Sequence, residues 1–128
     1  MIFVGLVYFI VNIAFAELAG RAASSTMHVV LNRLGFVVSL VAFAAHISYD
    51  HLRLGNPPRT TASHVALAAG LGAFGLALAA NVHGLWVGSN RQRSLAVALV
   101  VWPVITALPA FVAAFAAAVG LAFTRRGR

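Results

Sequence analysis

The sequence predicts an all-α protein, a four-helix bundle of four transmembrane helices joined by short loops. Three observations predict it. The 128 residues are 62% hydrophobic and 9% charged, where soluble domains carry about 25% charged residues. Four apolar runs lie at 1–20, 27–51, 62–87 and 95–123, and a helix needs about 20 apolar residues to cross a bilayer. Little chain remains outside these runs, so residues 1–128 read as one membrane domain with no soluble module.

The first run has Gly5, Asn12, Ala16 and Ala19 on one helical face. A cleavable signal peptide is the rival reading, since Ala14-Phe15-Ala16 before Glu17 has the form of a cleavage site. No Arg or Lys precedes the apolar stretch, so the run is expected to stay as a span. Ser24, Ser25 and Thr26 then offer caps for the second helix.

The second run, about Met27 to His51, carries the most informative pattern. At 100° per residue, His28, Asn32, Gly35, Ser39, Ala42, His46 and Asp50 align on one stripe. Phe36, Val37, Leu40, Val41, Phe43, Ala44 and Ile47 cover the rest. In lipid such a stripe turns toward other helices, because hydrocarbon satisfies no polar group. The loop Gly55-Asn56-Pro57-Pro58 ends this helix, and Thr60, Thr61 or Ser63 is expected to cap the next.

The third run has a stripe of Ala66, Gly70, Ala73, Ala77, Asn81, Gly84 and Gly88. Small residues at this spacing let two helix backbones approach closely. In the fourth run Thr106, Ala110, Ala113, Ala117, Gly120 and Thr124 form the expected small face. Pro103 and Pro109 each remove an amide donor and are expected to bend it.

All nine cationic side chains are Arg, the net charge is +7, and cysteine is absent. Without cysteine there are no disulfides, thiolate metal sites or Cys nucleophiles. The arginines are scattered over loops and tail, which suits anionic lipid head groups rather than nucleic acid. Arg53, Arg59, Arg125, Arg126 and Arg128 fall on the side of the termini, and Arg21, Arg33, Arg91 and Arg93 on the other. The three tail arginines lean both termini toward the cytoplasm, in an inner cell membrane. So even a balance also permits dual insertion and an antiparallel dimer; a single topology is the plainer expectation.

Ionisable groups inside spans are rare and point to function. One candidate intramembrane polar site is Asn12, Glu17, Asn81 and His83, at similar depth on the side away from the termini. A Glu near a His can exchange a proton or hold a cation. Against this, Glu17 and Arg21 are spaced for an ion pair, and His83 lies off the stripe that holds Asn81. The second candidate, for a haem, a metal or another ligand, is His46, Asp50 and His64 at the opposite end. Its plainer version is an Asp50–His46 hydrogen bond ending the helix, with His51 and His64 in the wet interface. Two haems are excluded by depth: His28 and His46 are 18 residues apart, about 27 Å of helix. One haem b held by His46 and His64 remains as an alternative.

Two local resemblances exist. Glu17-x-x-Gly20, in the first of four short spans, resembles small multidrug-resistance transporters, and the later helices do not follow that pattern. His46-Ile-Ser-Tyr-Asp50-His51-Leu52 resembles quinone-reductase membrane anchors of the succinate dehydrogenase kind, with a different spacing. Neither carries residue roles across. No catalytic motif in the sequence is specific, so a non-enzymatic function is expected, and no cofactor is required by the leading reading. The expected function is a small transporter or channel-like protein, or a membrane subunit of a transport system, for a proton-coupled or cationic solute. The alternatives are a redox anchor binding haem b or quinone through His46 and His64, and a structural subunit packed against itself or a larger partner.

Overall fold

The computed structural model describes residues 2–88 and 92–126, by backbone alone at 92, 125 and 126. Met1, Ser89–Arg91, Gly127 and Arg128 lie outside the described residues, as do the side chains of Arg125 and Arg126 counted above in the charge balance. Four helices follow in order: α1 (Ile2–Gly20), α2 (Ser25–Ser48), α3 (Pro58–Trp86) and α4 (Gln92–Arg126). A π-helical turn, Tyr49–Arg53, extends α2. All four helices are long and apolar enough to cross a membrane. Their outer surface is covered by large apolar side chains, among them Phe3, Phe36, Val41, Leu67, Trp86 and Val100.

Local signals set most boundaries. Ser24 caps α2 by accepting the Met27 amide at 3.2 Å. Gly88, at φ +63°, turns the chain out of α3, and Gly55, at φ +69°, does so after the π turn. The start of α3 differs from expectation. Neither Thr60, Thr61 nor Ser63 is the cap; Pro57 precedes the helix and Pro58 opens it. Proline needs no partner for an amide it lacks, and its fixed φ suits the first turn. Thr61 therefore falls inside the helix and is wholly buried.

Helix α3 is the centre. Its predicted stripe is buried at Ala66, Gly70, Ala73, Ala77, Asn81 and Gly84, while Gly88 is exposed beyond the helix end. That stripe meets α4: a Cβ on Gly70 would sit 3.4 Å from Ala107 Cβ. A second face meets α1. A Cβ on Gly5 would lie 2.9 Å from Leu71 Cβ, and one on Gly72 would lie 3.0 Å from Tyr8 Cβ. Helix α2 leans on α1, with Gly35 against Phe15, and touches α3 and α4 little. Its stripe turns inward at Gly35, Ser39, Ala42, His46 and Asp50, while His28 and Asn32 are exposed. These two bond each other at 3.2 Å.

The packing face of α4 is a correction. Ala113, Ala117, Gly120 and Thr124 are exposed; Ala114 and Ala118 are fully buried instead. The face is turned by about 100°, one residue. Small residues occur all around this helix, so size alone selects no stripe. Phe111 and Phe115 decide, joining Ile47, Ala62, Val65 and Ala114 in the apolar core at one end. The helix continues through Pro103 and Pro109 without interruption. On α1 the expected face holds at Gly5 and Ala19, whereas Asn12 and Ala16 are exposed.

Substituting Gly5 by Val should force α1 from α3 and cost about 1–3 kcal/mol, the range for overpacking. Gly120→Val, where a Cβ meets nothing within 4 Å, should leave stability unchanged. Thermal unfolding of the two variants in detergent checks the contrast.

Candidate functional site

The chain has two acidic residues, Glu17 and Asp50, and the fold treats them oppositely. Asp50 is 4% exposed. Within the π turn the Leu54 amide reaches the Tyr49 carbonyl at 3.2 Å, and this wider turn re-aims the side chains it carries. Asp50 Oδ1 accepts from His64 Nδ1 at 3.0 Å. Asp50 Oδ2 accepts from Asn56 Nδ2 at 3.1 Å, and the Asn56 amide returns to the Asp50 carbonyl at 3.3 Å. His51 Nδ1 donates to the Asn56 carbonyl at 2.8 Å. Carboxylate and carbonyl only accept, so both histidines carry a proton on Nδ1 here. The loop between α2 and α3 is thus latched around one carboxylate.

Two expectations change. Asp50 bonds His64 and Asn56 rather than His46, and His51 is buried at 7% exposure rather than wet. His64 is intermediate, its side chain 26% exposed, so one edge of its ring faces outward. His46 turns to α1 and packs on Tyr8, ring centroids 6.4 Å apart and tilted by 51°. The Tyr8 hydroxyl and His46 Nδ1 are both buried without a hydrogen-bond partner. Buried polar groups are almost always paired, so two unpaired atoms on side chains in contact mark a candidate site.

Tyr8 also lines a cavity of about 370 Å³ between all four helices. Asn12 of α1, Ser39 of α2 and Thr106 of α4 contribute its polar groups, and Phe43 and Trp102 its aromatic walls. The small residues Ala69, Gly72 and Ala73 of α3 make the room. Asn12 Nδ2 bonds the Tyr8 carbonyl at 2.8 Å, and the Thr106 hydroxyl donates to the Trp102 carbonyl at 2.8 Å.

The expected set Asn12, Glu17, Asn81 and His83 is not brought together. Glu17 is exposed and pairs with Arg21 at 3.5 Å. Asn81 is buried and ties α3 to α4, its amide donating to the carbonyls of Ala77 and Leu95. His83 is exposed in an outer groove with Phe9 and Trp86. Only Asn12 reaches the central cavity. Of the second set, Asp50 and His64 are joined, and His46 lies apart from that bond against Tyr8. Among the described residues, no three His, Cys, Asp or Glu side chains converge as metal ligands.

Sequence reasoning passed over Tyr8, Asn56 and Trp102. Tyr8 stands four residues before Asn12, which was a signal for a shared face. Asn56 read only as a helix breaker. No family model, curated protein or solved structure matches this chain.

Asn56→Ala should remove one charge-assisted bond and unlatch the loop, costing about 1.5–3 kcal/mol. Asp50→Ala, which strands two partly buried donors, should cost more, about 2–4 kcal/mol. Chemical unfolding in mixed micelles measures both, and equal stability of Asp50→Ala and the parent would contradict the latch.

Proposed function

We propose that this chain is a small multi-pass transporter or channel-like protein, or the membrane subunit of a transport system, that handles protons at Asp50 and His64. The observation that carries this is a buried carboxylate bonded to a partly exposed imidazole within helices of spanning length. A charge sunk in such a bundle is expensive, and ionisable groups of this kind mark ion and proton pathways. Imidazole gains and loses a proton near neutral pH, so it can pass one between an outer edge and a buried acid.

Four groups support a path. His64 has the outer edge, Asp50 accepts from it, and His46 follows Asp50 one turn earlier on α2. His46 packs on Tyr8, and Tyr8 lines the central cavity. A solute in that cavity would lie beside Tyr8, and Tyr8 beside His46, one helical turn from Asp50, a placement that supports proton coupling. Binding sites between helices, near the middle of the spans, suit transport. Glu17 has no part in this reading, being exposed and paired with Arg21.

A second reading, a subunit packed against another membrane protein or its own copy, is favoured by one observation. Ala113, Ala117 and Gly120 of α4 are small, spaced by four and three residues, and exposed. Small residues at such spacing let membrane helices associate, which supports this reading.

Proteoliposomes holding a trapped pH dye, driven by an imposed membrane potential, test the first reading. Protein-dependent proton flux is expected, reduced about tenfold or more in Asp50→Asn and unchanged in Glu17→Gln. Flux no greater than in empty liposomes, or Asp50→Asn equal to the parent, would set the proposal aside. The dimer or complex mass in detergent reports on the second reading.

A further inference from the structure

We infer that the central cavity binds an uncharged, membrane-dissolved amphiphile with a hydroxyl-bearing head, which enters sideways between α2 and α4. The cavity has walls from all four helices but is not closed on all sides. Helix α2 packs mainly on α1, α3 packs on both α1 and α4, and α2 and α4 meet little. The gap between α2 and α4 is therefore the open side. Trp102 stands there 51% exposed while lining the cavity. Toward one end the gap continues as an apolar groove of about 450 Å³, lined by Leu40, Ala113 and Ala117 among others. Phe43 lines both the groove and the cavity and forms the partition between them. On helices of spanning length, this opening faces lipid rather than water.

The chemistry of the lining selects the ligand. Among the described residues no charged side chain lines the cavity, so a charged head would lose its hydration without a counter-charge. The polar groups are specific in what they leave available. Thr106 spends its only proton on the Trp102 carbonyl, so toward a ligand it is an acceptor. Asn12 spends one amide proton on its own helix and keeps a carbonyl oxygen and a second proton. Ser39 serves either way. A head group must then both donate and accept, which a hydroxyl does and a ketone or ether does not. Aromatic walls from Tyr8, Phe43 and Trp102 suit a ring or chain beneath that head. Polar groups opening onto hydrocarbon are costly, and a hydroxyl amphiphile is the lipid-phase molecule that satisfies them.

The inference rests on the transport reading of this bundle, but it is scored as binding, without a proton gradient. Absent proton flux therefore overturns that reading and leaves the cavity result standing. The protein carries two tryptophans, so Trp86→Phe leaves Trp102 as the reporter. In phosphatidylcholine nanodiscs the probe is 4-bromophenol, uncharged at pH 7 and a heavy-atom quencher. Its control is 4-bromotoluene, of the same shape with methyl in place of hydroxyl. Saturable quenching of Trp102 by 4-bromophenol is expected, with about tenfold higher affinity than 4-bromotoluene, equivalent to about 1.4 kcal/mol. Thr106→Val should erase that difference, and Ser39→Ala provides the same test if the first variant does not fold. Quenching that rises linearly with 4-bromophenol, or equal affinity for both compounds, would overturn the inference. So would a difference that survives both substitutions in folded protein.

Discussion

Helix α3 is held on two faces at once, and both contacts exist only because side chains are missing. Gly70 admits Ala107 of α4, and Gly72 with Gly5 admits the backbone approach of α1. Lipid tails are as apolar as Leu, so burying Leu gives no advantage over leaving it in hydrocarbon. What remains is dispersion between closely packed atoms, which falls off steeply once a gap opens. The bundle therefore depends on the close approach of α3 to α1 and α4. Helix α2, with bulky residues over most of its surface, is left to lean on α1.

That arrangement positions the site. With α1 and α4 occupying the small faces of α3, α2 stands off and a cavity opens between it and the other three. The same α2 is tied down at one end, where Ile47 enters the apolar core and Asp50 enters the latch. The apolar core and the polar latch are neighbours, so Asp50 is held in a dry setting by groups that satisfy both its oxygens. A buried charge persists only with such partners. One helix is thus fixed at its loop end and loosely packed along its middle, where the cavity lies.

The unpaired polar atoms fall between these two regions. Tyr8 and His46 lie in contact, each with a buried polar atom unbonded. Tyr8 lines the cavity, and His46 stands one helical turn from Asp50 of the latch. The transport proposal and the ligand proposal use this same line of residues from its two ends. One concerns the proton at Asp50–His64, the other the head group beside Asn12, Ser39 and Thr106.

The helices, their order and the central role of the α3 stripe were legible in the sequence, because apolar length and small-residue spacing act locally along one helix. Ala66, Gly70, Ala73, Ala77 and Asn81 read as a packing face and are one. So was the inward turn of Ser39, His46 and Asp50. The face of α4 was not legible, since alanines surround that helix and only contact with Ile47 and Val65 chooses among them. Nor were the partners of Asp50. The π turn and the return of Asn56 are set by how the loop folds back, and no spacing within α2 encodes them. Glu17, Asn81 and His83 share a depth in the sequence, but depth fixes only height along a helix. Which way each side chain faces relative to its neighbours is decided by packing, and packing separates all three.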